Sequence, residues 1–131
     1  MRQASINRAT KETKISIDLC LDGSGIYENN TGIGFFDHML DGFAKQTRFD
    51  LKIRAEGDLH VDQHHTVEDT GIALGKALKE AIGDGRGIVR YGSAILPMDD
   101  ALILCSLDIS GRGYLSFDAV MPMQKVGTFD T

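Results

Sequence analysis

Apolar residues alternate with polar ones in several stretches of the chain, and this period of two predicts β-strands. The alternation is clearest over residues 14–21, and it returns over residues 49–55. The Asp22-Gly23 pair predicts a hairpin-type turn after the first strand, leading into a short strand at residues 26–27. Three further strand-like segments lie after Gly87: residues 88–98, 102–109 and 114–120.

Two other segments have the helical period of about 3.6 residues. The first begins at Gly34, and the second covers about residues 64–82 before a Gly-Asp-Gly stop. Strands followed by helices, with no regular βαβ alternation, predict an α+β fold in which one antiparallel-rich sheet carries helices on one face. The expected apolar stripes are Phe35, Phe36, Met39, Leu40 and Phe43 on the first helix, and Val67, Gly71, Leu74, Leu78 and Ile82 on the second.

Composition narrows the class of protein. A chain of 131 residues with 42% hydrophobic and 25% charged residues is ordinary for a globular domain with a real core. The net charge of −5 argues against nucleic-acid binding, and no apolar run approaches the roughly 18 residues that span a bilayer. The first residues do not resemble a signal peptide, and Cys20 and Cys105 fit buried thiols in a reducing compartment. A cytoplasmic protein is therefore expected.

The strongest candidate for chemistry is the run D-Q-H-H-T-V-E-D at residues 62–69. His64 and Glu68 are four residues apart and share a helical face, whereas His65 lies about 100° further round the helix. One turn can therefore serve two metal ions, or one ion and a substrate. A nitrogen-rich set with a carboxylate suits Mn, Fe, Zn, Co or Ni better than Mg or Ca.

Each of these residues also has a plainer interpretation. Adjacent histidines at a helix start are often a solvated polar turn. Asp62 and Asp69 can accept imidazole hydrogen bonds behind a metal site, or they can simply cap the helix and favour its positive end. His38 strengthens the metal hypothesis because it adds a histidine at the start of the other helix, whereas His60 falls on a strand end and is left out.

Two arginines and one glutamate are weaker candidates. Arg90 and Arg112 lie beside glycine or serine in turn-like sequences, which suits bidentate recognition of a phosphate or carboxylate. Each can equally be a surface charge at a hairpin. Glu12 reads as an ordinary exposed carboxylate on an early strand, and nothing near it in sequence singles it out.

The chain also contains a faint internal repeat. I-G-F-F-D-H at residues 33–38 resembles V-G-T-F-D-T at residues 126–131, and both follow an Asp-containing turn with serine and glycine. The shared letters are few, so the repeat alone is weak support for duplication.

A longer series of motifs points to a known family. R-x-T-x-E-T, L-D-G-x-G, T-G-I-G-F-F-D-H-M-L, G-D-L-x-V-D-x-H-H-T-V-E-D, R-Y-G, P-M-D, D-I-S-G-R and V-G-x-F-D-T occur in order from residue 8 to 131. Together they resemble imidazoleglycerol-phosphate dehydratase, a hydro-lyase of histidine biosynthesis. The resemblance implies a duplicated α+β fold, ribosomal protein S5 domain 2-like, made of two sheet-plus-helices half-domains.

On this resemblance, residues 1–86 are the first half-domain with the His-His-x-x-Glu metal helix, and residues 87–131 begin the second. Family members look longer, with a second His-His-x-x-Glu turn after V-G-x-F-D-T-E-L. We therefore expect a C-terminally truncated dehydratase whose second half-domain is incomplete, lacking about half of the metal ligands.

The resemblance further implies the reaction and its partners: loss of water from imidazole glycerol phosphate to give imidazole acetol phosphate. It implies two Mn²⁺ ions per complete site, built between subunits of a homo-oligomer of 24 chains, with other divalent first-row metals possible. The partners are a small-molecule phosphate substrate and further copies of the chain, with no nucleic acid and no membrane.

The carried-over site residues fall into three overlapping groups. Metal ligands are His38, His64, His65 and Glu68; substrate contacts are these four with Glu12, Arg90 and Arg112; acid/base candidates are Glu12 and Glu68. Asp99 is a weaker candidate for orienting the site. Two alternatives remain open: an inactive truncated fragment that only binds metal and self-associates, and an unrelated metallohydrolase.

Overall fold

The computed structural model describes residues 1–131, which form two compact units. One unit comprises residues 1–83 with 121–131, and the other comprises residues 84–120. The elements in chain order are β1 (Gln3–Ala9), β2 (Thr13–Cys20), β3 (Tyr27–Asn30), α1 (Gly34–Thr47), β4 (Asp50–Gly57), α2 (His64–Ile82), β5 (Tyr91–Met98), β6 (Ala101–Asp108), β7 (Lys125–Val126) and β8 (Phe129–Asp130).

A four-stranded sheet in the order β1-β2-β4-β3 forms the frame of the first unit. Ile17 of β2 is paired with Ile6 on one side and with Ile53 on the other, both in antiparallel register. Because side chains alternate along a strand, every second residue of β2 and β4 points to the same face, and on that face the two helices cover them. The predicted antiparallel-rich sheet with helices on one face is confirmed.

The predicted hairpin at Asp22-Gly23 is wrong. β3 does not return beside β2 but pairs in parallel with β4. The connecting loop is held instead by the Asp50 carboxylate, whose Oδ1 accepts the backbone N–H groups of Ser24, Gly25 and Ile26 at 2.8, 3.1 and 2.9 Å. These hydrogen bonds lower the pKa of Asp50, because they favour its charged form.

Helix α2 has the predicted bounds but buries a different face. The residues of α2 that pack on β1 and β2 are small, and larger ones such as Leu74 and Leu78 lie only partly buried beside them. Small side chains let a helix backbone approach a sheet closely, so residue size misled the prediction of the buried stripe. The buried residues are Thr66, Asp69, Thr70, Ala73, Ala77 and Ala81.

Helix α1 buries Leu40 and Ala44, and it ends at Thr47, followed by the C-cap residue Arg48 with a left-handed φ of 61°. The aromatic residues at its start hold the last segment of the chain. The ring centroid of Phe129 lies 5.2 Å from that of Phe35 and 6.3 Å from that of Phe36. This contact attaches residues 121–131 to the first unit.

The second unit consists of a β5–β6 hairpin and irregular chain. Its register runs from Tyr91↔Asp108 to Met98↔Ala101, and Asp99 in the turn has a φ of 51°. All residues of both strands are exposed. The strand predicted at residues 114–120 is wrong: the segment has no regular structure, since no neighbouring strand supplies ladder hydrogen bonds.

The close approach of α2 to the sheet leaves no room for a side chain at Gly57, the last residue of β4. A Cβ at Gly57 would overlap Oγ1 of Thr66, which is fully buried in α2. Gly57→Ala should therefore lower the free energy of unfolding by about 1–3 kcal/mol. Urea unfolding followed by circular dichroism measures this change.

Gly71→Ala is the matched control, because Gly71 is an exposed helical residue with open space around its Cβ position. It should raise the unfolding free energy by up to about 1 kcal/mol. Equal stability of Gly57→Ala and the parent chain would contradict the close helix–sheet contact.

Candidate metal and substrate site

The His-His-x-x-Glu motif occupies the first turns of α2, directly after the loop that leaves β4. Asp62 Oδ1 accepts the backbone N–H of His64 at 2.8 Å, so Asp62 satisfies one of the free donors at the helix start. Asp58 shapes the same loop through its backbone carbonyl, which accepts the N–H of Val61 at 2.8 Å. For Asp62, the structure therefore shows the capping role rather than an imidazole contact.

His64 and Glu68 lie together on an exposed helical face, as their spacing predicts. The Nε2 atom of His64 is 3.0 Å from Oε2 of Glu68, and the two side chains are 67% and 57% exposed. The pair thus places one nitrogen and one oxygen, two atoms of the kind that bind metal ions, side by side in solvent at the same point of α2.

His65 points to a second sector, where its Nδ1 lies 2.9 Å from Oδ2 of Asp58. The ring centroids of His64 and His65 are 5.4 Å apart, with an interplanar angle of 64°. The hydrogen bond with Asp58 raises the pKa of His65; burial opposes this, and the negative charges of Asp58, Glu12 and Asp62 add to it. Glu12 therefore acts electrostatically on the His65 ring.

Asp69 accepts no imidazole hydrogen bond. Its buried carboxylate accepts from Arg8 Nη2 at 2.7 Å, from Thr13 Oγ1 at 2.5 Å and from Thr10 Oγ1 at 3.4 Å. The Thr13 hydrogen bond contributes most to lowering the pKa of Asp69, burial opposes it, and Arg8 lowers it further. Asp69 thus ties α2 to β1 and to the turn that carries Glu12.

The other first-unit candidates are exposed. Glu12 lies in the β1–β2 turn, where its backbone N–H donates to Thr10 Oγ1 at 3.1 Å. His38 lies on α1, and no group of three His, Cys, Asp or Glu side chains in the chain is arranged to hold a metal ion. The structure therefore brings together His64 with Glu68, and not the full four-residue set.

Sequence reasoning missed Asp58. This residue follows the final glycine of β4 in G-D-L, six positions before the histidine pair. The available signal was an aspartate directly after a strand end and before a helix that begins with histidines. Its partner could not be read from sequence, because the path of the intervening loop decides which imidazole it meets.

The two arginine candidates, Arg90 and Arg112, lie in the second unit, and the charges of both act on the Asp108 carboxylate. Arg90 forms a two-pronged ion pair with Asp108, with Nε–Oδ1 at 2.6 Å and Nη2–Oδ2 at 3.1 Å. The Arg90 guanidinium carbon also lies 5.0 Å from the centre of the Tyr91 ring. Arg90 hydrogen bonding contributes most to lowering the pKa of Asp108, and the charge of Arg112 adds to the effect. Asp99 is at the exposed tip of the hairpin.

A protein-family model described as imidazoleglycerol-phosphate dehydratase matches residues 31–131. The chain belongs to this family. Two curated imidazoleglycerol-phosphate dehydratases show how much of the chain is shared. That of Dinoroseobacter shibae is 62% identical over all 131 residues, and that of Roseobacter denitrificans is 63% identical over the same length. The chain spans 67% of the length of each relative.

Solved dehydratase structures have the same fold. The enzyme from Staphylococcus aureus subsp. aureus N315 matches with a TM-score of 0.86 and 41% identity, covering 98% of this chain and 70% of that one. The enzyme from Pyrococcus furiosus, solved in complex with (S)-C348, matches with a TM-score of 0.75 and 41% identity, covering 88% and 61%. The family and α+β fold predicted from the motifs are confirmed.

The bounds predicted for the half-domains and the roles predicted for the site residues stay predictions.

Neither helix combines the length and apolar character needed to cross a membrane.

The Arg90–Asp108 pair makes a prediction about pH. A carboxylate whose folded pKa is lowered contributes stability above its unfolded pKa, and this contribution is lost as the pH falls through the folded value. Arg90→Gln should raise the pKa of Asp108 towards its ordinary value, as measured by a ¹³C NMR titration of the side-chain carboxyl groups.

Arg86→Gln is the control, since Arg86 pairs with Asp84 and leaves Asp108 untouched. An unchanged Asp108 titration in Arg90→Gln would show that the ion pair does not form in solution.

Proposed function

We propose that this chain acts in the dehydratase reaction of its family, removing water from imidazole glycerol phosphate to give imidazole acetol phosphate in histidine biosynthesis. In this proposal the reaction depends on Mn²⁺ and takes place in the cytoplasm. Its site includes His38, His64, His65, Glu68, Glu12, Arg90 and Arg112. The single observation that carries the metal dependence is the paired donor set of His64 and Glu68 at the start of α2.

The geometry of this pair fits a first-row divalent ion. Two neighbouring ligands, each about 2.1 Å from an octahedral ion, are about 3.0 Å apart. The separation between His64 Nε2 and Glu68 Oε2 is 3.0 Å, and an ion that binds both atoms would replace the proton that Nε2 shares with the carboxylate. A nitrogen–oxygen donor set suits Mn²⁺ and its first-row neighbours.

The remaining proposed ligands are His38 and His65, and His65 would serve the second ion because it points to a different sector of α2. The chain alone forms no group of three metal-binding side chains, and in this proposal the further protein ligands come from other copies of the chain. A homo-oligomer, of 24 chains in the assembly expected for the family, would bring such ligands together. Bound metal would supply Lewis-acid stabilisation of negative charge on the substrate ring.

The other site residues have roles that follow from their chemistry. Glu12 and Glu68 are the proposed acid/base groups for moving the proton and releasing the hydroxyl. Glu12 is suited to this because it is exposed and its charge acts on His65. Arg90 and Arg112 would bind the phosphate. To do so, Arg90 would have to release its bidentate ion pair with Asp108 and donate the same N–H groups to phosphate oxygens.

A second candidate is a folded chain that binds metal and self-associates without turnover. It is favoured by the incomplete metal group and by the exposed strands of the β5–β6 hairpin. Intact mass and turnover, measured on one purified sample in Mn²⁺, decide between the two. A mass near 14.3 kDa without turnover would reject the enzyme for this chain, and turnover at that mass would reject the inactive module.

The metal pair can be tested by substitution. Glu68→Gln and His64→Ala should each weaken Mn²⁺ binding by about 10–100-fold or more, because each removes one of the two paired donors. Titration calorimetry gives the affinities, and electron paramagnetic resonance reports the bound Mn²⁺.

Glu80→Gln provides the matched control, because it changes an exposed glutamate near the other end of the same helix. Mn²⁺ affinities that agree between Glu68→Gln, His64→Ala and Glu80→Gln would rule out the paired site.

A further inference from the structure

The side chain of Asp58 is the most enclosed acidic group in contact with either histidine of the motif. It is 15% exposed, whereas the His65 side chain is 44% exposed. Oδ2 of Asp58 lies 2.9 Å from His65 Nδ1, and Oδ1 is buried without a hydrogen-bond partner. His65 is therefore the side chain that stabilises this carboxylate.

The direction of this hydrogen bond follows from the chemistry of the two groups. An ionised carboxylate only accepts hydrogen bonds, so the proton between the two atoms belongs to His65 Nδ1. In a neutral imidazole one ring nitrogen is protonated and the other carries the free lone pair. His65 must then keep a bare Nε2.

We propose that Asp58 is a positioning residue that fixes His65 as the Nδ1–H tautomer, so that Nε2 is the nitrogen presented to a divalent first-row ion. The inference rests on the proposed function, because it assigns a ligand atom within the same site. Carboxylates that accept the second N–H of a metal-binding imidazole orient the ring and make it a better ligand.

The two neighbouring histidines differ in the group that contacts the imidazole ring. His64 has its Nε2 beside Glu68, and the nearby Asp62 bonds only to the His64 backbone N–H. Asp58 thus orients one imidazole of the motif, while the other is aligned by its own helical neighbour. Asp62 supplies a matched control, being an aspartate of the same loop with no imidazole hydrogen bond.

Long-range ¹H–¹⁵N spectra of the full chain, labelled at histidine, distinguish a protonated ring nitrogen from a bare one. Without metal, and at a pH where the imidazoles are neutral, wild-type His65 should be protonated at Nδ1 and bare at Nε2. Asp58→Ala should shift His65 towards the Nε2–H tautomer, Asp58→Asn should shift it less, and Asp62→Asn should leave it unchanged. His65→Gln assigns the signals.

A wild-type His65 protonated at Nε2 would overturn the proposal, and so would a tautomer unaffected by Asp58→Ala. The wild-type spectrum decides the matter alone if circular dichroism shows that the Asp58 variants fail to fold.

Mn²⁺ titration separates this inference from the proposed function. Asp58→Ala should weaken Mn²⁺ binding by about 10–100-fold, whereas Asp62→Asn should bind as the wild type does. Equal affinity of Asp58→Ala and wild type overturns the positioning role. If the wild type binds no Mn²⁺, the proposed function fails, and the tautomer measurement still tests whether Asp58 fixes the ring.

Discussion

The buried carboxylate of Asp69 is the interaction on which the arrangement of the first unit depends. It lies on α2 directly after Glu68, and it is held by Arg8 of β1 and by Thr13 at the start of β2. A buried charge that loses one of its partners costs about 3–5 kcal/mol, so the start of α2 cannot rotate or slide freely on the sheet. The facing directions of His64, His65 and Glu68 follow from this restraint.

The same restraint explains why Glu12 and the histidine pair belong to one neighbourhood. Thr10 accepts the Glu12 backbone N–H and also donates towards Asp69. The β1–β2 turn and the first turns of α2 are therefore anchored to a single carboxylate. Glu12 has no sequence signal of its own, and it is an acid/base candidate because the fold brings its charge close enough to His65 to raise the pKa of that ring.

Periodicity predicted most of the strands and helices, although on α2 it indicated the wrong buried face. The strand at 14–21 and the helix at 64–82 carry strong repeats, and both occur close to their predicted bounds. Strand pairing was harder to predict: the short β3 pairs with β4 because Asp50 holds the preceding loop, a contact between residues about 25 positions apart. Periodicity also failed at residues 114–120, where alternation without a neighbouring strand leaves irregular chain.

At the site, as in the fold, contacts between residues close in sequence were predicted and contacts that depend on the path of a loop were not. The spacing of His64 and Glu68 fixes their shared face, and the structure brings them within 3.0 Å. The contact of Asp58 with His65 depends instead on the loop after β4. The motif thus predicted the candidate ligands, while their supporting partners required three-dimensional information.

The aromatic contact of Phe129 with Phe35 and Phe36 has a consequence for chain entropy. It returns the end of the chain to the first unit, so residues 84–120 are a segment with both ends tethered. The entropy of closing such a loop changes slowly with its length, by about 0.6 kcal/mol for each doubling. A change in the length of residues 84–120 should therefore cost little of the stability of the sheet and helices that carry the histidine pair.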